Sequence, residues 1–206
     1  MRFLKFRKRI LFKFTVVHFV IAAILVGLLI TWGIRNYEYV VRYTYQPFSQ
    51  VQSAQSYVVS GEPTISADFI NRVLDHYHSP AAGKGQALHD YGVKYHIDPV
   101  YALAFFRHES TFGTKGVATV TRSLGNIRAR SGQEQYHGYR VYHTWEEGFE
   151  DWYRLIANQY IAKWGLYTVS QIIPVYAPAS DNNNEAAYIQ AIEEAVDTWR
   201  SGAVEV

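Results

Sequence analysis

The residues best suited to chemistry lie in the stretch YALAFFRHESTFGTKG, residues 101–116, where six apolar residues are followed at once by Arg107, His108 and Glu109. Helical spacing places the two phenylalanines on the same face as Glu109. Apolar neighbours and the negative end of a helix dipole both raise the pKa of a carboxyl group. A carboxyl that stays protonated near neutral pH can act as a general acid and protonate the leaving oxygen of a glycosidic bond.

Two other interpretations of this stretch need to be weighed. A surface glutamate at a frayed helix end, paired with Arg107 or Lys115, would look the same in sequence, and such glutamates greatly outnumber catalytic ones. HESTF also begins like the zinc-protease motif H-E-x-x-H, but Phe112 stands where the second histidine must be. The other histidines are scattered and cysteine is absent, so the sequence predicts no metal site and no cofactor.

The helix that carries Glu109 has a clear predicted start. Asp98 is a good N-cap acceptor, and Pro99 suits the first helical position. Upstream, TISADFINRVLDHYH has apolar residues at helical spacing with Ser66 or Thr64 available as the cap, and GQALHDYGVKYH predicts a further helix. The buried helix ending at Glu109 is therefore expected to be the third helix of the domain.

The periodicity changes after this helix. SLGNIRA and GYRVYHT predict two short strands that flank the polar loop RSGQEQYH, which together form a small hairpin. Thr144 and Glu147 then make a capping-box signal for a helix. One apolar stripe follows on that helix: Phe149, Trp152, Tyr153, Ile156 and Tyr160. With two more helices in TVSQIIPVY and NEAAYIQAIEEAVDTW, the predicted class is α+β, mostly helical with one small β-hairpin.

The N-terminus predicts a membrane anchor. The first 13 residues carry six basic side chains and no acid, and residues 14–34 carry no formal charge. A helix of that length can cross a hydrocarbon core of roughly 30 Å. The apolar run is longer than the h-region of a cleaved signal, about 7 to 15 residues, and no A-x-A-like site follows it. We predict one uncleaved transmembrane helix in the lipid bilayer, with residues 1–13 in the cytoplasm and the rest outside the cell membrane.

The remaining chain divides by composition into a polar stalk at 35–62, a folded domain at 63–200 and a tail at 201–206. Six of the 20 basic residues precede Phe14, which leaves 14 basic against 18 acidic residues in the rest. Because acidic residues outnumber basic ones in this part of the chain, the sequence does not predict a nucleic-acid partner. An extracytoplasmic domain without cysteine is typical of bacteria.

Taken in order, these elements resemble a known family. Its members have an A-x-x-x-E-S-x-x-G helix end, an N-N-L-F-G-I-K-like strand, an F-R-x-Y-x-S-x-x-E-S junction and a late Tyr-Ala segment. The corresponding segments here are FFRHESTFG, SLGNIRA, YRVYHTWEEGF and VYAPASD. SLGNIRA keeps Gly125, Asn126 and Ile127 but lacks the double Asn and the Phe. Over roughly residues 64 to 200 the chain resembles the glucosaminidase family of bacterial cell-wall hydrolases, which is similar to mannosyl-glycoprotein endo-beta-N-acetylglucosaminidase and belongs to the lysozyme-like superfamily.

The resemblance implies a lysozyme-like fold and hydrolysis of the glycan strand of peptidoglycan beside N-acetylglucosamine, with Glu109 as the catalytic acid. It leads us to expect a partner acid from the hairpin region, where Glu134 is the one acid between the two predicted strands. A retaining pair would be about 5 Å apart and an inverting pair about 6.5 to 9.5 Å. The late tyrosine falls on Tyr176, whose hydroxyl would steady the charged transition state. Glu134 as a solvated loop residue and Tyr176 as a core aromatic stay open as alternatives. Without Glu134 as the partner, Glu109 would work with an N-acetyl group of the substrate or with positioned water.

Sugar binding needs flat apolar faces bordered by hydrogen-bond donors. The residues predicted to bind substrate are Asn126, Arg128, Tyr136 and Tyr142, near the predicted hairpin. Two other functions also stay open. One is a lytic transglycosylase, which closes the sugar on itself instead of adding water, and the other is a membrane-anchored wall-binding scaffold without activity.

Overall fold

The computed structural model of the protein describes residues 57–206. The predicted cytoplasmic tail, the predicted bilayer span at 14–34 and most of the predicted stalk lie outside the described residues. None of the helices between Tyr57 and Val206 combines the length and the hydropathy that a bilayer crossing requires.

The described chain is mostly helical, with one two-stranded antiparallel sheet, so the predicted α+β class is confirmed. The α-helices are α1 (Ala67–His76), α2 (Gly85–Tyr95), α3 (Pro99–Ser110), α4 (Ala118–Thr121), α5 (Trp145–Leu155), α6 (Val169–Tyr176) and α7 (Glu185–Arg200). A π-helix (Ile156–Lys163) continues α5, and a 3-10 turn (Ala179–Asp181) precedes α7. The strands are β1 (Gln135–Tyr136) and β2 (Tyr139–Arg140).

Helix α3 lies in the core of the domain, because every residue from Pro99 to Phe106 is buried. Its predicted start is confirmed: the Asp98 side chain accepts a hydrogen bond from the Val100 amide, and Pro99 is the first helical residue. The Asp98 carboxylate also accepts from the Thr64 hydroxyl at 2.6 Å and pairs with the Arg200 guanidinium at 2.9 Å. These bonds tie the start of α3 to the end of α7.

At its other end α3 stops sharply. Thr111, Phe112 and Gly113 all have positive φ angles of 47°, 53° and 83°, a region that most residues avoid. The Ser110 hydroxyl lies 2.9 Å from the Leu124 carbonyl oxygen and accepts from the Gly113 amide at 2.9 Å. Through these two hydrogen bonds the buried Ser110 links the turn after α3 to the loop that begins near residue 122.

The hairpin is shorter than predicted, and its first strand lies at another place. Its strands pair Gln135 with Arg140 and Tyr136 with Tyr139, so β1 forms inside the predicted polar loop RSGQEQYH, while β2 lies within the predicted strand GYRVYHT. His137 and Gly138 have φ angles of 50° and 83°, as a two-residue type I′ hairpin turn requires.

Only the end of the predicted strand SLGNIRA pairs with GYRVYHT: Arg128 bridges Tyr139, and the amides of Ala129 and Arg140 donate to the carbonyls of Gly138 and Ile127. The earlier residues of SLGNIRA do not form a strand. The reason is local. The Ser123 carbonyl accepts from the Asn126 amide and its side chain accepts from the Ile127 amide, while Asn126 has a φ of 47°. Such side-chain and turn bonds satisfy the backbone in place of a strand ladder.

All five residues of the apolar stripe predicted between Phe149 and Tyr160 are buried. The stripe begins on α5 and continues onto the π-helix. The Thr144 hydroxyl caps the helix by accepting from the Glu147 amide, as predicted. Beyond Leu155 the chain widens into the π-helix, which a 3.6-residue pattern does not distinguish from an α-helix.

Residues on both sides of the predicted domain pack on it as well. Val59 is buried, and its backbone bonds to Tyr167 and Asp98. Val204 and Val206 pack against the core from the other end of the described chain. Packing on the core therefore extends beyond residues 63 and 200.

Candidate active site

Glu109 occupies the last turn of α3 and is half-buried. The Tyr188 hydroxyl donates to its Oε1 at 2.6 Å, and the Asn126 Nδ2 lies 3.1 Å from its Oε2. Burial raises the pKa of Glu109, while the hydrogen bonds from Tyr188 and Asn126 oppose that rise. The carboxyl is therefore held in a fixed orientation with its pKa above the ordinary range, as the position at the end of an apolar helix predicted.

The orientation of the Asn126 amide follows from its partners. Its Nδ2 also donates to the backbone carbonyl of Glu109 at 2.9 Å, and a carbonyl oxygen can only accept. The nitrogen must therefore face Glu109, which gives the carboxylate a donor and not a second acceptor. Asn126 was predicted to bind substrate, and in the structure it also orients Glu109.

Tyr188 is the main contact that sequence reasoning missed. It lies on the final helix, α7, and is buried there. Its ring stacks on His108, with centroids 3.6 Å apart, and lies 5.9 Å from the ring of Phe105. Burial and the neighbouring Glu109 charge raise the pKa of the Tyr188 hydroxyl, so it remains a donor. Tyr188 and Glu109 are 79 positions apart in the sequence, and no local sequence pattern predicts their contact.

Glu109 faces a groove of about 540 Å³. The groove is walled by the end of α3, the segment 126–130, the π-helix and the segment 175–183. Four of the predicted site residues line it together: Glu109, Asn126, Arg128 and Tyr176. The Arg128 guanidinium lies 4.3 Å from the centre of the Tyr139 ring, which also lines the groove.

Three predicted site residues do not line this groove. Glu134 is exposed at the open end of the hairpin, with His143 as a distant ion-pair partner at 3.9 Å. Tyr136 is exposed and its ring lies against His137. Tyr142 is buried, and its hydroxyl donates to Asp151 at 2.7 Å. The first strand of the hairpin is Gln135–Tyr136 and not SLGNIRA, and the side chains of Glu134, Tyr136 and Tyr142 lie outside the groove lining.

The Tyr176 hydroxyl already has two partners. It donates to the Gly125 carbonyl and accepts from the Trp152 indole at 3.2 Å. Burial raises its pKa strongly, and the charge of Glu109 adds to that rise. A Cβ at Gly125 would lie 2.5 Å from Trp152 and 3.0 Å from the Tyr176 oxygen, so only glycine fits there. In this arrangement Tyr176 supports the loop that carries Asn126.

Asp181 brings a second carboxylate to the groove lining. It ends the 3-10 turn after α6 and is exposed. Sequence reasoning missed it because the segment APASD shows no periodicity that would direct Asp181 toward Glu109. Among residues 57–206, no three His, Cys, Asp or Glu side chains come close enough together to hold a metal ion.

No family model matches the chain, and no curated protein matches it in sequence. Its structure is similar to the crystal structure of S. aureus autolysin E in complex with the muropeptide NAM-L-Ala-D-iGlu. The TM-score is 0.52 and the sequence identity 12%, over 72% of this chain and 73% of that one. At this identity the similarity shows that the two proteins share a fold.

Proposed function

We propose that the protein is a membrane-anchored peptidoglycan hydrolase that cleaves the glycan strand beside N-acetylglucosamine, with Glu109 as the general acid. The observation that carries the proposal is the Glu109 carboxyl, which has a raised pKa, two fixed hydrogen-bond donors and one side open to a groove. The fold shared with autolysin E, which was solved with a muropeptide, supports the same substrate class.

In the proposed reaction the protonated Glu109 donates its proton to the glycosidic oxygen as the bond from that oxygen to C1 breaks. The carboxylate that forms is stabilised by the Tyr188 hydroxyl and the Asn126 amide, which already point at its two oxygens. Donors that are in place before the charge develops lower the barrier without having to reorient. The two bonds that limit the rise of the Glu109 pKa thus also stabilise the product of proton transfer.

The sugar cation left at C1 needs an anion or an activated water. Asp181 is the second carboxylate of the groove lining, and we propose it as the partner acid in place of Glu134. A separation near 5 Å between the two carboxyl groups would favour a retaining reaction through a covalent intermediate, and a separation of about 6.5 to 9.5 Å an inverting one.

Mass analysis of the products from purified peptidoglycan tests the reaction. The hydrolase proposal predicts reducing N-acetylglucosamine ends. Anhydro-muramic ends would instead identify a lytic transglycosylase. Binding without any new ends would identify an inactive wall-binding scaffold.

The proposed anchor is the apolar segment 14–34, with the N-terminus in the cytoplasm. We expect the full chain to sediment with membranes, and externally added protease to reach the domain in cells stripped of their wall. A chain lacking residues 2–34 should be soluble. Membrane association of that shortened chain would contradict the anchor.

A further inference from the structure

A second concavity, here called the basic cleft, lies beside the groove and has a volume of about 350 Å³. Its charged lining consists of five cations and one anion: Arg128, Arg130, Arg140, Arg154, Lys163 and Asp151. Arg128, Arg130 and Gln159 also line the groove. The basic cleft and the groove therefore share a wall.

The charge of the basic cleft contrasts with that of the rest of the domain. Residues 57–206 contain 12 Lys and Arg against 17 Asp and Glu. Five of those 12 cations line the basic cleft, but only one of the 17 acids does. A concentration of like charge in a concave surface repels itself, and it raises the local concentration of anions.

The one acid of the basic cleft, Asp151, already has three hydrogen-bond donors. Asp151 accepts hydrogen bonds from Arg140, Arg154 and the Tyr142 hydroxyl. This leaves three of the cations, Arg128, Arg130 and Lys163, which form no ion pair with any residue between Tyr57 and Val206.

Two of these three cations lie on the wall that the basic cleft shares with the groove, and the third lies on the π-helix. Arg128 and Arg130 line both concavities, and Lys163 ends the π-helix. The Arg130 guanidinium donates to Gln159, also on the π-helix, at 3.2 Å. Guanidinium groups bind carboxylates in bidentate fashion, so this arrangement suits an anionic group attached to whatever occupies the groove.

We propose that the basic cleft binds the carboxylates of the peptide stems that branch from the glycan strand. Because it takes peptidoglycan as the ligand, the proposal rests on the function proposed above. The stems are attached to the muramic acid residues of the strand and end in carboxylates. A strand lying in the groove would carry a stem into the adjoining basic cleft. The enzyme would then distinguish strands that bear acidic stems from bare glycan.

Binding of the full chain in detergent tests the proposal, with Glu109→Gln in every protein so that no ligand is cut. One ligand is peptidoglycan freed of teichoic acid. The second is the same material with its carboxylates converted to amides. The test variant adds Arg130→Gln and Lys163→Gln, and the control variant adds Arg72→Gln and Lys115→Gln, two exposed cations outside both concavities.

We expect the parent and the control variant to bind native peptidoglycan about tenfold more tightly than the amidated form, since two exposed ion pairs contribute on this scale. The test variant should bind both forms equally, at the level of the amidated ligand. Equal binding of the two forms by the parent would overturn the proposal. So would undiminished discrimination by the test variant.

Teichoic acid separates carboxylate recognition from general anion binding. If the test variant lost affinity for isolated teichoic acid but not for the stems, the basic cleft would be a phosphodiester site and the proposal would be overturned. The binding assay requires no turnover, so its outcome is independent of the catalytic proposal. Preference for native stems in this assay, together with no release of reducing ends by the chain that keeps Glu109, would support the basic cleft and contradict the hydrolase.

Discussion

At the scale of single residues, the site depends on opposing influences on Glu109. Burial raises its pKa, which keeps a proton available, and the donors Tyr188 and Asn126 favour the ionised form. A general acid works best when its pKa lies near the working pH. In the proposed reaction, the balance between burial and the two donors would therefore set the pH range of activity.

Tyr188→Phe should shift that balance in a known direction. The variant keeps the ring that stacks on His108 but loses a donor to the Glu109 carboxylate. The pKa of Glu109 then rises further, so the alkaline limb of kcat moves to higher pH. The value of kcat at its plateau falls roughly tenfold or more, because a hydrogen bond to the developing anion is lost. The measurement is a pH profile of reducing-end release.

The matched control for this prediction is Tyr167→Phe. Tyr167 is 48% exposed and lies outside the groove lining, so the profile should not change. An alkaline limb in Tyr188→Phe that stays in place or moves to lower pH would show that the Tyr188 bond does not act on Glu109.

The second carboxylate is tested by comparing two acids. Asp181→Asn should lower kcat at least about 100-fold, the smaller end of what a positioned acid or base contributes. Glu134→Gln should leave kcat within about twofold, because Glu134 is exposed and outside the groove lining. A large loss with Glu134→Gln and none with Asp181→Asn would reverse the assignment.

The direction of the Glu109 pKa shift could be predicted from the sequence, because the apolar neighbours that favour it lie within one helix turn. Sequence reasoning missed Tyr188 and Asp181, whose positions depend on how α7 and the turn after α6 pack against the end of α3. Glu134 was selected by its place between two predicted strands, but part of the predicted loop forms β1, and the Glu134 side chain is exposed at the end of that strand.

At the scale of elements, the helix starts could be predicted because caps are local. Ser66, Asp98 and Thr144 each accept a backbone hydrogen bond within three residues. The first strand of the hairpin could not be placed, because the turn at Ser123 satisfies the backbone of SLGNIRA and competes with its β propensity. The type I′ turn at His137 and Gly138 pairs Gln135–Tyr136 with Tyr139–Arg140 instead.

Asp98 links two elements, and its removal should be costly. Asp98→Ala removes the α3 cap, the bonds from Thr64 and the partner of Arg200. We expect the free energy of unfolding to fall by about 3 kcal/mol. Urea denaturation followed by tryptophan fluorescence measures this, since Trp152 and Trp199 are buried.

The control for Asp98→Ala is Glu62→Gln, an acid whose side chain is 82% exposed. This change should stay within about 0.5 kcal/mol of the parent protein. Equal stability of the two variants would mean that the link between α3 and α7 does not stabilise the domain.

At the scale of the whole molecule, the formal charge of +2 conceals an uneven distribution. The first 13 residues are basic, the domain is acidic, and the cations of the domain are concentrated beside the groove. Composition predicted the first two features. The concentration of cations beside the groove depends on the fold, because the fold brings together residues from the segment 128–140, from α5 and from the π-helix.

The general-acid role proposed for Glu109 is tested by measuring the release of reducing ends from purified peptidoglycan with the Glu109→Gln variant. We expect the parent to release reducing N-acetylglucosamine ends and Glu62→Gln to do so at the parent rate. Glu109→Gln should lose about 100- to 10,000-fold in kcat, the range of general acid catalysis. Release by Glu109→Gln at the parent rate would contradict that role.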